Sequence, residues 1–138
     1  MAVTSYDTIW ETFRDISGLD DDLLPSDEQG IYIEIHNAVR KYNIKTDDSE
    51  EKLTYSDTTE DLSKSLDDNR LQLLALFIKQ NILESKLEYF EQIYQYDLKE
   101  VKSKFFKDQV STRQSTIEKV EKEILEILSY MDDHDLND

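Results

Sequence analysis

The segment NRLQLLALFIKQNILESKLEYF, residues 69–90, constrains the fold more than any other stretch of the chain. At helical spacing it carries two apolar stripes at once. Leu71, Leu74, Ala75, Ile78, Ile82 and Tyr89 form one, and Leu73, Leu76, Phe77, Leu83, Leu87 and Phe90 form the other. Its N-terminal half is therefore apolar around most of its circumference. Burying one Leu or Phe side chain is worth roughly 1.5–3 kcal/mol, so leaving either stripe in water would forfeit on the order of 10 kcal/mol, as much as a domain's net stability. The pattern predicts a central helix over about residues 68–94, N-capped by Asp67 or Asp68 and covered on several sides by the rest of the chain.

The remaining sequence supplies the covers. A first helix starts at the capping box Thr8-Ile9-Trp10-Glu11, or one turn earlier at Ser5, shows Ile9, Phe13 and Ile16 on one face and stops at Gly18. After the loop LDDDLLP, Ser26-Asp27-Glu28-Gln29 reads as a second capping box. It opens a helix to about Tyr42 with a single stripe of Ile31, Ile35, Ala38, Val39 and Tyr42. Residues 43–61 hold no sustained period and many Asp, Ser and Thr, which compete with helix for the backbone, so this is the long acidic loop, with a brief extended piece expected over Lys52 to Tyr55. DLSKSL is expected to make a helical turn or two carrying Leu62 and Leu66. YQYDLKEVKSKFF is a weaker helix start, with a break expected near Tyr96 and Asp97.

Beyond that break Phe106, Val110, Arg113, Ile117, Val120, Ile124, Ile127 and Met131 alternate in steps of four and three, a heptad seam with Arg113 as the polar intruder. The expectation is a last helix packed along the bundle, and the alternative is a seam that pairs with another chain. The central helix should turn one stripe to the second helix and this last one, and the other stripe to the first helix and the Leu62–Leu66 turn. MDDHDLND then reads as a mobile acidic tail.

Composition fits this architecture. In 138 residues, long enough for one substantial core, there are only two Gly and one Pro, too few for the hairpins of a β protein. The class is all-α: a small bundle of four to five helices around a central helix, with residues 1–131 as one helical domain and 132–138 as the tail. The absence of Cys excludes disulfides, thiolate nucleophiles and cysteine metal sites. No apolar run approaches a membrane span and MAVTSYDTIW has no secretory pattern, so a soluble protein of the cytoplasm, with no membrane partner, is expected.

The formal charge is -16, from 32 Asp and Glu against 16 Lys and Arg. The acids crowd into residues 1–70 and the tail, while residues 71–131 are near neutral and include a small basic stretch, KEVKSKFFK, residues 99–107. That stretch reads first as a solvated helix face and second as a contact for an acidic partner. A surface this acidic repels a duplex instead of neutralising its phosphates.

Catalytic constellations are lacking. His36, on the polar side of the second helix beside Arg40, and His134, in the tail, have no nucleophile or metal-ligand spacing around them and read as solvated. The clusters Asp20-Asp21-Asp22, Asp47-Asp48-Ser49-Glu50-Glu51 and Asp132-Asp133-His134-Asp135 lack the spaced ligands and central Gly of an EF-hand. With only Gly18 and Gly30, no glycine-rich phosphate cradle is available. No enzyme, cofactor or metal is expected.

In order of parts, YDTIWETFRDISGLDDDLLPSDEQGIYIEIHNAVRKYN, an acidic loop, LDDNRLQLLALFIKQNILESKLEYF and a final Lys/Glu helix, the chain resembles the small head-tail connector (adaptor) proteins of tailed bacteriophages. The resemblance covers Tyr6 to Met131 and rests on this organisation and on stretches such as IHNAVRKYN and LLALFIKQNILESKLEYF. It implies a helical bundle that assembles as a ring under the portal, twelve subunits in the family, extends the DNA channel, and docks stopper or tail proteins in the virion neck. DNA would pass through without specific binding. In the family a loop lines the lumen, which points to Lys45–Asp61 and within it to Asp47, Asp48, Glu50, Glu51 and Lys52. The C-terminal part reaches the portal, which points to Met131, Asp132, Asp133, His134 and Leu136. Two further classes remain open: an acidic helical DNA mimic that blocks a nuclease or repressor, and a coiled-coil regulatory subunit using the 106–131 seam.

Overall fold

The computed structural model describes residues 3–19, 23–46, 52–97 and 103–136, with side chains for all of these except 89–97, 103–110 and 132–136. Four helices and a two-stranded antiparallel hairpin make up the described residues: α1 (Tyr6–Ser17), α2 (Glu28–Thr46), β1 (Tyr55–Ser56), β2 (Asp61–Leu62), α3 (Asp68–Asp97) and α4 (Ser103–Leu136).

α3 is the hub onto which α1, α2 and α4 each pack. Leu73, Leu74, Ala75, Leu76, Phe77 and Ile78 are consecutive, and each is 0% or 1% exposed. A run longer than one turn with no exposed member means that the helix is covered on every side, as its paired stripes require. α1 contributes Ile9 and Phe13, α2 contributes Ile35, Ala38, Val39 and Tyr42, and α4 contributes Ile117, Val120, Ile124 and Met131 to the same core. α4 returns antiparallel to α3, so that Glu121 lies beside Gln80 while Leu128 lies near Phe77. From Ile117 to Met131 its heptad seam is spent inside the bundle, with Arg113 half-buried one turn before it.

The helix boundaries follow local hydrogen bonding. α1 takes the earlier of its two starts: Ser5 is the N-cap, its Oγ accepting from Thr8 N at 3.2 Å. Gly18 ends the helix in the left-handed region at φ 59°, where a side chain is disfavoured. α2 starts one residue later than the Ser26 box implies, because the Asp27 carboxylate accepts from Gly30 N at 2.8 Å. It also runs on to Thr46, past the end of its apolar stripe. Asp67 caps α3, accepting from Arg70 N at 2.9 Å. α3 ends at Asp97, where the sequence weakens, and α4 continues to Leu136, taking in Asp132, Asp133 and His134.

The largest difference lies between α2 and α3. Part of the long loop expected over residues 43–61 is the hairpin, in the register Tyr55↔Leu62 and Ser56↔Asp61, with β1 starting at Tyr55, the end of the expected extended piece, and DLSKSL is strand and bend instead of a helical turn. The physical reason is a third backbone partner. Residues 4–6 lie alongside β2, with Leu62 N donating to Thr4 O at 2.8 Å, Thr4 N to Lys64 O at 3.1 Å and Tyr6 N to Glu60 O at 2.8 Å. Leu53 and Leu62 then drop into the core at 4% and 2% exposure. The Asn43 side chain holds the start of this unit to α2, donating to Leu53 O at 2.9 Å and accepting from Leu53 N at 2.8 Å.

Candidate functional site

The densest polar cluster lies where the hairpin docks on α1 and α2. Glu28, Tyr32 and His36 are spaced by four on α2 and so share one face. The hairpin meets this face with Tyr55, Asp57 and Glu60. Asp57 Oδ1 accepts from Tyr6 OH at 2.6 Å and contacts His36 Nε2 at 2.7 Å, one carboxylate thus tying β1–β2 to both helices. The His36 ring stacks on Tyr55 with centroids 4.0 Å apart and planes 13° apart, and Tyr6 meets Tyr32 edge-on at 5.4 Å. Tyr32 OH bonds Glu28 at 2.8 Å and also bonds Glu60. A phenol has one hydrogen, so it serves one of these carboxylates at a time.

The electrostatics follow from those contacts. Burial, reinforced by the Asp57 carboxylate, raises the Tyr6 phenol above its ordinary pKa, and the hydrogen bonds to Glu60 and Glu28 do the same for Tyr32. The bonds donated by Tyr6 and His36 hold Asp57 below the usual carboxylate range, and Tyr32 does so for Glu60. Glu60 adopts φ 54°, uncommon for a non-glycine residue, and from there its carbonyl reaches Tyr6 N while its carboxylate reaches Tyr32. Trp10 and Ile31 complete a cavity of about 250 Å³ beside this cluster, rimmed by Asp7, Glu28 and Glu60.

A second polar chain ties α2, α3 and α4 together. Lys41 Nζ donates to Gln80 Oε1 at 2.7 Å and lies 5.9 Å above the Phe77 ring, while Gln80 Nε2 donates to Glu121 at 3.4 Å. It floors a groove of about 420 Å³ between α2 and α4 whose sides include Lys45, Glu84, Leu125 and Leu128. On the neighbouring turn Glu34 accepts from Asn81 at 2.9 Å, and burial raises its pKa.

The residues singled out in the sequence fall elsewhere. Asp47, Asp48, Glu50 and Glu51 lie outside the described residues, as do Asp20, Asp21 and Asp22. Lys52 is exposed, next to the Asn43–Leu53 clamp. Met131 is buried at 7% in the core, whereas Asp132, Asp133, His134 and Leu136 continue α4 beyond the described side chains. Of the basic stretch 99–107, the backbone is described only from Ser103 on. His36, which the sequence presents as solvated, is half-buried and engaged with Asp57 and Tyr55. The spacing of Glu28, Tyr32 and His36 was visible in the sequence. Their partners were not, because they come from a hairpin with no periodic signature.

Among the described residues no group of three or more His, Asp or Glu side chains is arranged to hold a metal ion, and no helix is long and apolar enough to cross a membrane. The fold and these clusters define an acidic α-helical bundle whose hydrogen-bonded networks tie secondary elements to one another. The chain belongs to the YomZ prophage protein family, whose model matches residues 1–132. A relative from Bacillus subtilis (strain 168), the SPbeta prophage-derived uncharacterized protein YomZ, is 31% identical over 115 residues, 83% of this chain and 86% of the relative. No solved structure matches the chain.

Proposed function

We propose that this phage-family protein is a non-enzymatic head-tail connector, made in the host cytoplasm and then assembled as a ring under the portal, where it extends the DNA channel and docks stopper or tail proteins. The observation that carries the reading is a prophage-family chain folded as a bundle around one buried helix, with the order of parts of that connector family and a formal charge of -16. A channel wall of this charge lets a duplex slide, because it neutralises no phosphates. Asn43 and Leu53, on either side of residues 47–51 in the sequence, are clamped to each other, a fixed base for the lumen-facing segment this reading needs. α4 carries Asp132, Asp133, His134 and Leu136 past the core toward a portal contact. The coiled-coil alternative loses its support, since Ile117, Val120 and Ile124 are already buried in this chain's own core.

One observation favours the DNA-mimic reading second. Asp7, Glu11 and Asp15 are exposed and spaced by four along α1, a row of carboxylates roughly 6 Å apart. Purified protein mixed with the portal ring of its phage separates the two. Light scattering and electron microscopy should show the chain joining the ring. No binding to portal, combined with inhibition of a DNA-binding enzyme that is lost on changing the three α1 acids to amides, would replace the connector by the mimic.

A further inference from the structure

The geometry points to a head-to-tail contact between copies of this chain, in which Arg40, Ile44 and Lys45 of one copy dock into the acid-rimmed aromatic cavity at α1, α2 and the hairpin of the next. The inference rests on the connector reading, because a closed ring needs a contact of this kind. The cavity walls are the rings of Tyr6, Trp10 and Tyr32, the rim carries Asp7, Glu28 and Glu60, and no basic side chain among the described residues lines it. Such a site accepts an apolar group flanked by cations, which gain from both the ring faces and the carboxylates.

The chain supplies that complement. Between Glu34 and Asp47 the sequence has no acid but contains Arg40, Lys41 and Lys45. Arg40 and Lys45 are exposed, and Ile44, at 69%, is the most exposed of the described large apolar side chains. Arg40 and Ile44 are four apart and share a face of α2. A copy cannot fill its own cavity this way, since Tyr32 and Ile44 sit on the same straight helix, about 18 Å apart along its axis. Two separate complementary patches on one body allow a heterologous contact, which generates a ring when the rotation it imposes closes. On a molecule whose overall charge repels its copies, such local complementarity decides the register.

Because the chain has no Cys, disulfide trapping tests this directly. A Ser26→Cys/Thr46→Cys variant, which leaves Arg40, Ile44 and Lys45 in place, oxidised alone at high concentration and again on the portal ring of its phage, should give covalent species of two, three and more subunits. Adding Arg40→Glu should lower the yield at least tenfold, and adding Asp7→Arg to that should restore it. Cross-linked pairs only, or no cross-link in either condition, overturns the contact. Portal binding without a ladder discards the contact and leaves the connector standing, whereas a ladder without portal binding supports the contact and removes the connector.

Discussion

At the scale of single residues, stability concentrates in caps and in the few side chains that fix the hairpin. Gly18→Ala forces a Cβ into the left-handed region at φ 59° and is expected to cost about 1 kcal/mol, read as a lower urea midpoint with unchanged slope. Ser5→Ala, removing the α1 cap, is expected to cost a similar amount, about 1 kcal/mol. Asp57 has a more local effect, because it holds β1–β2 to Tyr6 and His36. Its pKa is lowered in the folded state, so its contribution is complete above the ordinary Asp value of 3.8 and is lost as the pH falls through the folded value. Glu60 behaves in the same sense, and Glu34, raised by burial, in the opposite one. Acidification below pH 4 should therefore release the hairpin ahead of the core. The protection factors of Tyr6 N and Leu62 N should fall there while the α3 amides stay protected, and Asp57→Asn should reproduce that pattern at neutral pH.

At the scale of elements, the four helices were legible because each follows from a local signal. The two stripes of α3 demanded cover on every side, and the burial of Leu73 to Ile78 is that demand met. Gly18 and Asp67 marked ends that the backbone then used. Of the hairpin only a brief extended piece ending at Tyr55 was legible, because Leu62 is held as a strand residue by Thr4, whose backbone pairs with residues about sixty positions away. A local reading of DLSKSL sees Leu62 and Leu66 four apart and infers a helical turn, whereas tertiary pairing decides otherwise. The same contrast applies to the cluster around His36, half of it written on α2 and half arriving with the hairpin. For α4 the heptad seam left two partners open, and the core shows α3 taking it. Ile117→Asp should thus destabilise the monomer by several kcal/mol, through a charge placed in the core, and not convert a dimer into two stable chains. Thermal unfolding at two protein concentrations checks this, since the loss should be the same at both.

At the scale of the whole molecule, a -16 charge on 138 residues makes self-repulsion a property of every state of the protein. Raising ionic strength from about 0.01 M to 0.15 M shortens the screening length from about 30 to 8 Å, so the melting temperature should rise with salt. The same acidity repels DNA, and a fluorescent duplex should show no saturable binding at physiological salt. The proposed contacts are local: the Arg40–Lys45 end of α2, the cavity beside Tyr32 and the far end of α4. The proposal that this protein acts by assembly is tested most directly by electron microscopy of the purified chain mixed with the portal ring of its phage. The connector account predicts added density in the symmetry of the portal, with an open channel along its axis. A portal ring unchanged in mass and outline at saturating protein would contradict it.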